Sequence, residues 1–264
     1  MQMNLNVDAV RETAHLGVRR ASSFLALGLK AIEGGPPKSA KLGQHFQILF
    51  MPEPLPPEVA ENLANDYRAW LVGAALKELD TFLSLALDLA WDIIRIGELH
   101  GKPAPTEFGP DANFQNKGTA KKLDIISTTI NAEAPWAEYF PAFGLARNCL
   151  SHGAGIVRER DTTSDSALII RWRSPTIIIV DGDKERLFDM RNPPSTEPTE
   201  NEARVLFRMA EREARYEVGQ PLILSADDLT EICLCYQATG DAVSASLVKY
   251  LKQLGIAEAA ASTP

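Results

Sequence analysis

From Asp8 to about Ile32, apolar residues recur three and four positions apart, the spacing of one buried helix face, and Gly34-Gly35-Pro36-Pro37 ends the segment. A short apolar run at 45–50 predicts a strand, and the proline-rich stretch 52–57 predicts a rigid connection. A second helical pattern then runs from about Pro57 to Glu98. Along it Lys77, Thr81, Ser84, Asp88, Asp92 and Arg95 fall on one polar stripe, while Trp70, Leu76, Leu79, Phe82, Leu83, Leu87 and Trp91 cover most of the remaining surface. A helix apolar around so much of its circumference is surrounded by others. The Pro-, Gly- and Asn-containing stretch His100 to Gly118 predicts a loop, Thr119 to Ala132 a shorter helix, and the segment after Pro141 a further helix that stops at Gly153-Ala154-Gly155.

Beyond residue 160 the pattern changes. Ala167 to Arg173 and Thr176 to Asp181 are β-branched runs separated by Ser174-Pro175, with Asp181-Gly182-Asp183 as a turn. Asn192 to Thr199 has the composition of disordered chain, Glu200 to Ala214 reads as a helix with alternating charges, Tyr216 to Leu224 as a strand, and Asp227 to Leu254 as one or two helices. The expected fold is mainly α, a helical bundle with a small β-sheet addition in the C-terminal half. Its expected divisions are 1–56, an N-terminal helix and linker; 57–160, the helical core; 161–255, a small α+β segment; and 256–264, a frayed tail.

Composition narrows the function classes. With 264 residues, 45% of them apolar, the chain can fill a substantial core. A net charge of −8 and a pI near 5.1 exclude a general nucleic-acid coat, because sequence-independent phosphate binding rests on Lys and Arg. A local cleft is still allowed, since Arg147, Arg158, Arg160, Arg171 and Arg173 outnumber the three acids between them, Glu159, Asp161 and Asp165. Three cysteines, Cys149, Cys233 and Cys235, give neither a disulfide framework nor a zinc spacing and fit a reducing cytoplasm. The apolar stretch from Ala69 to Gly97 is broken by Lys77, Glu78, Asp80, Asp88 and Asp92, so it predicts a core helix and no membrane span.

One local pattern carries chemistry. Arg147-Asn148-Cys149-Leu150-Ser151-His152 joins a permanent forked cation suited to phosphate, an amide able to hold it, and a side chain that moves protons near neutral pH. On a helix Asn148 and His152 lie about 40° apart and Arg147 about 140° from His152. Arg95 and His100 repeat the five-residue spacing, but Ile96 follows Arg95, so only the Arg147 copy has the amide. No phosphate-cradling glycine loop, HExxH or paired-histidine metal spacing is present, and no cofactor is expected.

The Arg147-Asn148-x-x-x-His152 string resembles the HEPN superfamily, whose ribonuclease members carry Arg, four to six residues, then His, with a polar residue commonly after the Arg. The setting, a long helix, a connection and a later helix bearing the motif near its end, is also similar, over roughly residues 57 to 160. The resemblance implies a HEPN-like bundle, metal-independent endoribonuclease activity, often in toxin–antitoxin or antiphage systems with a cognate antitoxin or defence partner, and a site built at a homodimer interface. The chemistry agrees with a dimer. Attack by the 2′-hydroxyl needs a base, an acid and a cation for the charge on phosphorus, and one motif offers a single histidine.

Supporting candidates are Glu78, to orient Arg147; Ser151, to touch a phosphate; and Arg158 and Arg160, to extend an RNA path. Structural readings stand beside these: His152 meeting the last helix carbonyls, Arg147 paired with a surface acid such as Glu138, Cys149 as packing, and Ser151, Arg158 and Arg160 as solvated surface. The rival functions are a non-catalytic dimerisation or nucleotide-binding module of the same superfamily, marked by motif residues turned into the core, and a helical interaction protein unrelated to RNA.

Overall fold

The architecture is that of a computed structural model describing residues 5–35, 41–42, 48–49, 54–102, 108–132, 136–164, 166–188 and 204–256. Helix α1, Asp8–Ile32, buries Val10, Ala14, Gly17, Ala21, Leu25 and Gly28, a stripe of three- and four-residue steps made mostly of small side chains. Small residues permit close approach to α2, Pro57–Gly97. A Cβ at Gly17 would lie 2.4 Å from the Phe82 Cβ, and one at Gly28 2.5 Å from the Leu71 Cδ2. With 41 residues, beginning on a proline that fits the first helical turn, α2 is the central rod. It spans about 60 Å.

Four helices pack on this rod: α1, α4 (Thr119–Ile130), α5 (Phe140–His152) and α6 (Ala226–Gln253). The short α3, Ala112–Gln115, is started by the Asp111 carboxylate accepting from the Phe114 N–H, and sets Phe114 against Trp91 with ring centroids 4.8 Å apart. Helix α4 is fixed to α2 by a buried charge. Lys122, only 1% exposed, donates to the Ser84 hydroxyl and to the Asp88 carboxylate, each at 2.8 Å. Part of the polar stripe of α2 is thus an internal contact. Helix α6 is a single helix, opened by a capping box between Ser225 and Asp228.

A two-stranded ladder joins β1, Lys41–Leu42, to β2, Ile48–Leu49. The main sheet is antiparallel, order β4-β3-β5, from β3 (Ala167–Asp181), β4 (Lys184–Phe188) and β5 (Arg204–Glu217). Leu168, Ile170, Trp172 and Ser174 alternate into the interior, and the Trp172 indole donates to Glu231 of α6 at 2.7 Å. One core runs through α1, α2, α4, α5, β3 and α6. The fold is mainly α with a small sheet in the C-terminal half, as expected.

The sheet departs from expectation at three places. Residues 204–214 of the stretch read as a helix from Glu200 to Ala214 belong to β5, because β3, rich in β-branched residues, takes β5 as its partner from Val180↔Arg204 to Ala167↔Glu217. The strand expected over Tyr216 to Leu224 is absent beyond Glu217, where Gly219, at φ 89°, turns the chain. The two strands expected around Ser174-Pro175 are one: β4 pairs only with Ile177 to Asp181, so Pro175, opposite Met209, has a neighbour on one side and costs no hydrogen bond on the other. The helix expected to reach Ala132 ends at Ile130, where Asn131 takes a left-handed φ of 48°. The strand expected at 45–50, the run 192–199 and the tail 256–264 lie largely outside the described residues.

Candidate functional site

Helix α5 buries Phe140, Ala142, Phe143, Ala146 and Cys149, leaving Arg147, Asn148, Ser151 and His152 on its other positions. Its inner face is held by aromatic contacts to α6: the Tyr236 ring lies 4.9 Å from Phe140 and 5.7 Å from Phe143, centre to centre. Where α5 crosses α2, a Cβ on Gly73 would lie 3.1 Å from the Leu150 Cβ. Gly153 still donates to the Cys149 carbonyl at 2.8 Å, an approach at which a Cβ would meet that oxygen at 2.6 Å, and the helix stops there because Ala154 and Gly155 follow at left-handed φ of 52° and 74°. Gly155 then accepts from Leu222 at 2.7 Å, and Val157 donates to Gln220 at 3.0 Å, pinning the motif end to the turn after β5.

Arg147 is half-buried and well partnered. Its Nη1 pairs with the Asp80 carboxylate of α2, while Nε and Nη2 donate to the Asn148 Oδ1 at 3.2 and 2.8 Å. A guanidinium has five N–H donors. Among the described residues, one N–H on each Nη of Arg147 is left for a further acceptor. The Asn148 amide oxygen thus accepts twice from Arg147, and the acid paired with Arg147 is Asp80. Glu78, the expected orienting residue, instead binds Arg20 of α1 at 2.8 Å. Glu138 is likewise not the partner of Arg147. The physical reason is helical phase, since Glu78 and Asp80 lie about 160° apart round α2.

Asp80 is the residue that sequence reasoning missed. Its signal was legible: with Leu76, Leu83, Leu87 and Ile94 it lies on one face, an acid in an otherwise buried apolar row. Such a position calls for a cation.

His152 and Ser151 lie exposed on the last turn, and among the described residues neither side chain has a hydrogen-bond partner. His152 is about 7.5 Å beyond Arg147 along the helix axis and about 140° round it, so the two side chains leave α5 in different directions. Arg158 and Arg160 are exposed on the 3-10 turn that follows, where Asp161 accepts from the Arg158 N–H at 3.1 Å.

The other histidines are elsewhere. His15 shares a 2.8 Å hydrogen bond with Asp241, and His45 lies outside the described residues. His100 follows Gly97, which packs on Leu251 at the far end of α2 from the Gly73–Leu150 crossing. The rise from 73 to 97 separates those ends by about 36 Å.

Burial favours the protonated form of the thiol and the phenol beside the site. Burial pushes the Cys149 thiol up to about 11, with Asp161 adding to it, so Cys149 is a packing residue and not a nucleophile. Burial likewise raises the Tyr236 phenol well above its usual value, Asp80 adding to the shift and Arg147 opposing it. Grooves are found elsewhere among the described residues. One of about 570 Å³ between α1 and α2 includes Phe24, Tyr67, Trp70 and Lys77; one of about 400 Å³ between the sheet and α6 includes Thr176, Leu187, Arg212 and Leu234. Neither is lined by Arg147, Asn148 or His152. Among the described residues there is no cluster of three or more His, Cys, Asp or Glu able to hold a metal, and no helix is long and apolar enough to cross a membrane.

Compared with protein-family models, with curated proteins and with solved structures, the chain finds no match in any of the three.

Proposed function

We propose that the exposed end of α5 is one half of a metal-independent endoribonuclease site, completed by the same helix of a second copy, in a cytoplasmic toxin or antiphage-defence effector. The observation that carries this reading is the division of labour along one helix. Asp80 and Asn148 fix the Arg147 guanidinium with N–H groups to spare, and His152 stands unpartnered and open on the last turn. Each copy then brings one proton carrier and one oriented cation.

In the proposed reaction, one His152 takes the proton of the ribose 2′-hydroxyl as that oxygen bonds to phosphorus. The bond to the 5′-oxygen breaks, and the partner copy's histidine protonates the leaving oxygen. Paired Arg147 groups meet the charge accumulating on the phosphoryl oxygens. The products are a 2′,3′-cyclic phosphate and a 5′-hydroxyl. His100 follows the far end of α2 and His15 is engaged by Asp241, which supports a composite site.

One observation favours a second reading, a non-catalytic dimerisation or nucleotide-binding module. Arg147 is committed to Asp80, as a structural clamp between α5 and α2 would be. Incubation of RNA with wild type, His152→Ala and Arg147→Lys, all in EDTA, separates the two. Cleavage to cyclic-phosphate ends by wild type, its loss in His152→Ala and near-loss in Arg147→Lys are expected, since a point charge cannot replace the fork. Cleavage that chelation abolishes, or that His152→Ala leaves at the wild-type rate, would refute the site.

A further inference from the structure

The β5 strand is an edge. Its inner side pairs with β3 along its whole length, and among the described residues no strand pairs with its outer side. Arg204 to Glu211 are exposed throughout, and the apolar side chains there are large: Phe207 is 73% exposed, Val205 54% and Met209 41%. These three lie on one face, beside Ile177, Ile179 and Pro175 directly opposite them on β3. A long edge with exposed apolar residues is a template for another strand.

We propose that this edge binds a second copy of the chain, the two β5 strands pairing antiparallel about a two-fold axis at Phe207 to form one sheet of six strands, three from each copy. The pleat requires residues facing each other to share a face, so the axis must pass at a residue rather than between two. Charge and apolar matching then choose which residue. Centring on Phe207 sets Phe207 against itself, Val205 against Met209, Leu206 against Arg208 and Arg204 against Ala210, with no like charges opposed.

Neighbouring registers fail. Centring on Leu206 opposes Arg204 to Arg208; on Arg208, that arginine to itself; and on Ala210, Arg208 to Arg212. Centring on Glu211, Arg212 or Glu213 sets each of those charges against its own copy. Like charges directly opposite destabilise a ladder. Centring on Met209 avoids them but places Phe207 against Glu211 and Val205 against Glu213; centring on Val205 avoids them too but sets Phe207 against Ala203 and separates Val205 from Met209.

This interface does not rest on the ribonuclease reading. Phe207 lies about 33 Å along β5 from Glu217, near which the motif end of α5 is pinned, so this two-fold does not bring two His152 residues together. The two contacts are separable.

The experiment uses the full chain. Light scattering across a concentration series is expected to give an assembly whose mass Phe207→Lys halves, with an unchanged circular dichroism spectrum because the side chain is exposed. Register is read by oxidation. Phe207→Cys faces its own copy and is expected to form a covalent dimer, whereas Arg204→Cys, opposite Ala210, is not; the three native cysteines are buried. A wild-type monomer at every concentration, an assembly whose mass Phe207→Lys leaves unchanged, or cross-linking of Arg204→Cys as readily as Phe207→Cys would overturn the proposal.

Discussion

Glu78 and Asp80 stand two residues apart in α2 and invite one decisive comparison. Replacing each by its amide keeps size and an acceptor oxygen and removes only the charge. The Asp80 and Arg147 side chains are 15% and 31% exposed, between the surface pair worth about 0–1 kcal/mol and the buried pair whose breaking costs about 3–5. A neutral acceptor retains part of the bond, so Asp80→Asn is expected to cost about 1.5–2 kcal/mol. For a chain of this size that lowers Tm by about 3–8 °C. Glu78 faces the 42% exposed Arg20, and Glu78→Gln is expected to cost at most about 0.5 kcal/mol, under about 2 °C. Thermal unfolding by circular dichroism measures both. If the ribonuclease reading holds, cleavage should fall with Asp80→Asn, which frees Arg147, and not with Glu78→Gln. Equal losses of stability in the two variants would refute the assignment of Asp80 as the anchor.

Two further outcomes follow from buried groups. Asp88→Ala should cost about 3–5 kcal/mol by stranding the Lys122 ammonium, whereas Lys122→Met/Asp88→Leu should recover most of that loss; urea unfolding of the single and double variants checks the non-additivity, and simple addition would refute the buried pair. Burial raises the thiols from 9 to about 11 at Cys149, about 12 at Cys233 and about 11 at Cys235. Because the folded state holds these protons more tightly, their contribution is complete below pH 9 and is lost as pH rises through 11. Tm should therefore fall steeply above pH 9, less so in Cys235→Ala, and iodoacetamide at pH 7.5 should label none of the three without denaturant.

Most helix boundaries were legible because punctuation marks them: Gly34-Gly35 after α1, Pro57 at the start of α2, Gly153 after α5. Strand β5 was not, because Leu, Met, Ala, Glu and Arg are good helix formers locally and the run becomes a strand only through its partner β3. A contrary sign was present. Arg204, Arg208 and Arg212 at four-residue steps would stack three like charges on one helix face. At the site, Arg147, Asn148 and His152 were readable as a string. Asp80 was legible as an acid in a buried apolar row, but its partner was not, because that depends on which helix crosses α2 at that height, and local spacing does not encode a crossing.

The small-residue stripe of α1 has a consequence for the order in which the chain can settle during synthesis. Gly17 and Gly28 await Phe82 and Leu71, and Ala14 awaits Gly240, where a Cβ would lie 2.5 Å away. Glycine weakens a lone helix by about 1 kcal/mol per position relative to alanine, so α1 gains little from forming alone. Helix α1 is made before α2 and α6 yet is completed only after them, its second wall arriving with α6. Until then the apolar stripe of α1 is covered by α2 alone, and the waiting chain carries a partly open apolar face.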